Sequence, residues 1–116
     1  MTQSLSNRVD QFLRECFSDD PNVRPQVRVL RFLEEALELA QSMGITKEKA
    51  LEQVDYTYGR PIGEPVQEFG GVVFTLVSTG NALGLDLIEE GHKSVDEGFS
   101  RIDQIREKSK SKPHVV

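Results

Sequence analysis

Apolar residues recur every three to four positions in one segment after another of this 116-residue chain. No run alternates with a period of two for long enough to propose a sheet, so the pattern predicts an all-α fold of four to five helices. A first short helix is expected near Leu5 to Phe17, capped by Ser4 or Ser6, with SDDPN behind it as turn chemistry. A second begins close to Pro25, a position that tolerates proline, and ends at Met43-Gly44, where glycine can adopt the left-handed C-terminal conformation. Thr46 then caps a third helix through Tyr56, with Lys49 where a full capping box would have glutamate. YGRPIGEP reads as a loop. Pro65 opens a fourth helix that continues to about Leu83 and is stopped by Gly84, and Asp86 caps a fifth that runs to about Lys108. Within the fourth, VVFTLV would also suit a buried strand, but the length of its flanks favours the helix. One domain over residues 1–108 and a flexible tail over 109–116 follow from this pattern.

Composition narrows the function. With 28% charged residues and a net charge of −5, the chain has no broad basic field to attract a nucleic-acid backbone. Cys16 is the only cysteine, which excludes an intrachain disulfide and a cysteine-built zinc site. The start MTQSLSNRVDQFL lacks the apolar region of a signal peptide, and no apolar stretch approaches the roughly 20 residues that span a bilayer. A soluble cytoplasmic protein, binding neither nucleic acid nor membrane, is the expectation.

The candidate chemistry begins in RFLEEALELAQ, residues 31–41. At about 100° per residue, Phe32, Leu33, Ala36, Leu37, Leu39, Ala40 and Met43 cover about half of the helix. Arg31, Glu34, Glu35 and Glu38 occupy the rest. Glu35 and Glu38, three apart, are near neighbours whose carboxylates repel unless something compensates. A solvated face with Arg31 paired to Glu34 or Glu35 is the plain explanation, and a hard cation taking oxygen ligands is the functional one. On the fourth helix, Glu68 lies at the edge of the stripe Val66, Phe69, Val72, Val73, Leu76, Val77 and Leu83. Gly70-Gly71 in mid-helix costs about 1 kcal/mol per residue relative to alanine, which implies either close helix packing or a cavity beside Glu68.

RFLEEALELAQ, followed by GRPIGEPVQEFGGVVFTL and GLDL, resembles the MazG-like members of the all-α nucleoside triphosphate pyrophosphohydrolases over about residues 24–103. That family carries ExxE on one helix and ExxD on a later one. The resemblance implies that Glu35, Glu38 and Glu68 bind Mg²⁺, or Mn²⁺, where a nucleoside triphosphate is cleaved to monophosphate and pyrophosphate. The aspartate of ExxD is here Gly71, and Glu34 or Glu64 is placed to supply the missing oxygen. Glu34 and Glu35 are both candidates for the base that activates water. Arg31, Arg60, Lys93 and Arg101 are the cations for the phosphates, with Lys93 and Arg101 resembling basic residues on the family's last helix. Helix faces that a lone small bundle would leave bare imply a homo-oligomer, a dimer or tetramer. The alternative is a catalytically impaired helical module that binds nucleotide or protein, and a purely structural adapter stands behind it.

Several conspicuous residues are read as structural. His92 and His114 lack a partner at metal-ligand spacing and are expected in solvent, Cys16 is expected as a small buried hydrophobe, and Tyr56 and Tyr58 as packing residues. Asn81 could read a base, but the helical wheel puts it well away from Glu68.

Overall fold

Short-range chemistry decides where the first five helices start. In the computed structural model, which describes residues 3–17 and 24–113, the helices are α1 (Leu5–Cys16), α2 (Pro25–Ser42), α3 (Lys47–Tyr58), α4 (Pro65–Leu83), α5 (Leu87–Phe99) and α6 (Ile102–Ser109). The fold is all-α, with no strand among the described residues. The SDDPN turn and His114 lie outside them. Ser4 Oγ accepts the Asn7 N–H at 3.1 Å, Thr46 Oγ1 that of Lys49 at 3.2 Å, and Asp86 Oδ2 that of Glu89 at 2.8 Å. Each bond satisfies a donor that a helix start leaves unpaired. α2 and α4 open on proline, which has no N–H to satisfy. α2 and α4 end alike: Gly44 and Gly84 have φ of 85° and 72°, and Ile45 and Leu85 donate back to Ala40 O and Gly80 O at 3.0 and 2.9 Å.

The expected fifth helix does not run unbroken to Lys108. It stops at Phe99, where Ser100 Oγ donates to Glu97 O at 2.7 Å and the Ser100 N–H is shared between Asp96 O and Glu97 O. Arg101 then leaves helical geometry at φ −134°, and α6 starts afresh. Serine competes for backbone acceptors in this way and so favours helix ends. α3 also runs two residues past Tyr56.

The chain divides into two compact units, one holding α1, α4 from Phe69 onward, α5 and α6, the other holding α2, α3 and the start of α4 as far as Glu68. In the first unit α1 packs on α5 and α6, and α5 on α6. Leu5 meets Gly91, Arg8 meets His92 and Asp96, and Phe12 meets Gly98 and Phe99, so α1 and α5 lie side by side in the same direction. Phe12 and Phe99 meet edge to face, with ring centroids 5.3 Å apart. Cys16 and Val95, 1% and 7% exposed, are the core of this contact. Arg106 of α6 closes the C-terminal end of α1: its Nη2 donates to Glu15 O at 2.7 Å and its Nε to Cys16 O, supplying donors to carbonyls the helix cannot satisfy itself. In the second unit no residue of α2 or α3 is buried, and Phe32, Leu33 and Leu37 are about half exposed. No single helix among the described residues is long and apolar enough to cross a membrane.

Candidate functional site

Every sequence-derived acidic candidate belongs to the second unit. Along α2, residues 28, 31, 35 and 38 fall within a narrow arc of the helix, so Arg28, Arg31, Glu35 and Glu38 form one stripe, cationic at its N-terminal half and anionic at its C-terminal half. Arg31 Nη1 donates to Glu34 Oε1 at 3.2 Å, and both side chains are largely covered. Glu34 is therefore engaged by the arginine, as the plain reading of this face holds. Glu35 and Glu38 are exposed and form no ion pair among the described residues.

Arg28 is a residue the sequence reading passed over. Burial lowers its pKa, and the neighbouring Arg31 charge lowers it further. Its Nε is buried without a hydrogen-bond partner among the described residues. The available signal was its spacing, three residues before Arg31 and seven before Glu35.

Glu68 stands at the start of α4, its N–H donating to Glu64 O at 2.9 Å. Its side chain turns back onto the preceding loop: a Cβ at Gly63 would lie 2.9 Å from Glu68 Oε2 and 3.0 Å from Cδ. Gly63 thus leaves the space that this carboxylate occupies, a relationship invisible in the spacing of glutamates. Arg60, in the same loop, rests its guanidinium 5.3 Å from the ring centre of Tyr56, a cation–π contact that parks the cation at the end of α3. Among the described residues no three His, Cys, Asp or Glu side chains form a group that could hold a metal ion.

The remaining candidates belong to the first unit. Lys93 lies 3.3 Å from Glu90 Oε1 and 3.4 Å from Glu89 Oε1, and its hydrogen bond to Glu90, reinforced by the charges of both glutamates, raises its pKa. Arg101 is exposed between α5 and α6. At Gly71, where the resemblance would place an aspartate, a Cβ would meet nothing within 4 Å. His92, expected in solvent, is half-buried and takes a hydrogen bond at Nδ1 from Arg8 Nη1 at 2.9 Å. Arginine only donates, so Nδ1 carries no proton in this contact. Arg8 also bonds Asp96, which makes it the polar clasp of the α1–α5 seam. Asn81 is exposed near the end of α4.

As a donor set, Glu35 and Glu38 suit a hard divalent cation, because they are carboxylates three residues apart with no ion pair to either among the described residues. No family model, characterised protein or solved structure matches the chain.

Proposed function

We propose that the chain is a MazG-type helical nucleoside triphosphate pyrophosphohydrolase. The observation that carries this reading is the α2 stripe, in which the exposed, unpaired carboxylates Glu35 and Glu38 follow directly on Arg28 and Arg31. Such a division suits a substrate that is polyanionic and needs a metal. Glu35 and Glu38 would hold Mg²⁺ or Mn²⁺, with Glu68 the third ligand that the resemblance implies; the metal when bound supplies charge neutralisation at phosphate oxygens and lowers the pKa of water. The carboxylates of Glu35 and Glu38 do the holding on α2. Glu34, bonded to Arg31, is the less available of the two base candidates, which favours Glu35 for accepting the proton of the attacking water. Arg31 and Arg60 on this unit are the cations for the phosphates and the released pyrophosphate. Arg60 can leave its tyrosine at small loss, since an exposed cation–π contact is worth only about 0.5–1 kcal/mol.

The test is pyrophosphate release from a panel of canonical and modified nucleoside triphosphates, with Mg²⁺, with Mn²⁺ and with chelator. Metal-dependent release that disappears in Glu38→Gln is the expected result. Silence across the panel from folded protein would overturn it. A second reading, a helical module that binds nucleotide without cleaving it, is favoured by Gly71, which leaves the motif one carboxylate short. Nucleotide binding by calorimetry without turnover would establish that alternative.

A further inference from the structure

We infer that the seam between α1 and α5 is an acid-sensitive latch, in which a proton taken by His92 Nδ1 breaks the bond from Arg8 and lets α1 leave α5. The latch lies within one compact unit and is independent of the hydrolase reading.

Three groups meet at the seam. Arg8 Nη1 donates to His92 Nδ1 at 2.9 Å and stands 3.4 Å from His92 O, while its Nη2 donates to Asp96. The Arg8 side chain is 21% exposed, so salt and water screen these contacts less than those of an open surface pair. Only an imidazole nitrogen with a free lone pair accepts such a bond, and arginine keeps its charge throughout the ordinary pH range. Once Nδ1 takes a proton, a donor faces a donor and a cation faces a cation.

Asp96 allows the partners to exchange. It follows His92 by four residues on the same helix, the spacing at which side chains are neighbours, so both cations compete for one carboxylate. An imidazolium paired with Asp96 along α5 leaves Arg8 only the His92 carbonyl.

The other charged groups of the packed helices are engaged elsewhere. On α1, Asp10 and Arg14 pair with each other on the side turned from α5, and Glu15, two turns beyond Arg8, takes a bond from Gln11. On α5, Glu89 and Glu90 pair with Lys93. On α6, Arg106 caps the end of α1 and lies 3.9 Å from Asp103, and Glu107 pairs with Lys110. α4 from Phe69 to Leu83 carries no titratable side chain.

The direction follows from counting protons. The docked seam holds Nδ1 without a proton and the released form leaves it free to take one, so the released form binds more protons and gains population as pH falls. The contact is therefore complete above the range in which histidine titrates and is lost through it, between about pH 8 and 5 and above the range in which carboxylates ordinarily titrate.

The test is amide hydrogen exchange of the full chain at about pH 7.5 and about pH 5.5, corrected for the intrinsic exchange rate at each pH and read by mass spectrometry. Loss of a hydrogen bond from a charged donor corresponds to about tenfold or more, so protection of α1 should fall at least tenfold at the lower pH while α3, in the other unit, keeps its own. His92→Gln, which keeps an acceptor for Arg8 and takes no proton, should abolish the change, and the same substitution at His114, the chain's other histidine, should not. In the unsubstituted protein the midpoint of the change should coincide with that of the His92 Hε1 resonance in NMR, which keeps the test decisive if His92→Gln misfolds. Equal protection of α1 at both pH values, a change that survives His92→Gln, a midpoint apart from that of His92, or a loss shared equally by α3 overturns the proposal.

Discussion

Gly98 of α5 lies so close to Phe12 of α1 that a Cβ at position 98 would stand 2.9 Å from ring carbon Cε2 and 3.0 Å from Cζ. The ring is held edge-on against Phe99, so it has little room to retreat. Gly98→Ala should therefore lose stability by about 1–2 kcal/mol, overpacking outweighing the roughly 1 kcal/mol that alanine contributes to a helix. Urea unfolding measures it. Adding Phe12→Leu should recover part of the loss, and a Gly98→Ala protein as stable as wild type would mean that the two helices are not in this register.

Gly63 is the counterpart of this pair on the candidate site. The atom a new Cβ would strike is the end of the flexible Glu68 side chain, so Gly63→Ala should leave the urea midpoint nearly unchanged while displacing the carboxylate. Under the hydrolase reading, the Mg²⁺ concentration for half-maximal pyrophosphate release should rise several-fold, as expected for a disturbed ligand. An unaltered metal dependence would make the contact incidental.

Gly71→Asp runs the opposite way. Space is open at this position, and under the hydrolase reading an aspartate there, three residues after Glu68 on the same helix, sets a second carboxylate beside it. The half-saturating Mg²⁺ concentration should fall by on the order of tenfold for added carboxylate charge in a hard-cation site. If Gly71→Asp behaves as wild type, Glu68 is not a ligand either.

Cys16 gives a pH dependence. Burial holds its thiol pKa above the ordinary value, and the nearby Arg106 charge only partly opposes this. A pKa raised in the folded state means that the contribution to stability is complete below the unfolded thiol pKa, about 8.5, and is lost as pH rises from there through the folded value. Wild-type stability should fall more steeply above about pH 8.5 than that of Cys16→Ala, whatever the offset between the two curves. Parallel alkaline limbs in the urea midpoints would remove the thiol from this account.

The starts of α1 to α5 are legible because their determinants are local. Ser4, Thr46 and Asp86 cap within three residues of themselves, and Pro25, Pro65, Gly44 and Gly84 act through their own φ angles. The end of α5 is not, because Ser100 falls inside a continuing apolar period while its hydroxyl competes for Glu97 O. On α2 the pairing of Arg31 with Glu34 could be read at a spacing of three residues. Arg28 shares that stripe by spacing, but what distinguishes it, burial and a donor unmet among the described residues, is tertiary. The same holds for His92, whose partner Arg8 is 84 residues away in the chain, and for Glu68, whose neighbour Gly63 looked like loop punctuation.

The seam between α1 and α5 also bears on the order of folding. Joining Arg8 to His92 closes a loop of 84 residues, an entropic cost of about 4 kcal/mol before any contact offsets it. Contacts this distant in sequence form late when local helices can form first. During synthesis α1 must then wait, with the apolar face that carries Leu5, Phe12 and Cys16 uncovered, until the ribosome has delivered the chain as far as Phe99. Substitutions such as Gly98→Ala should consequently speed unfolding far more than they slow refolding, visible in the two limbs of a chevron plot.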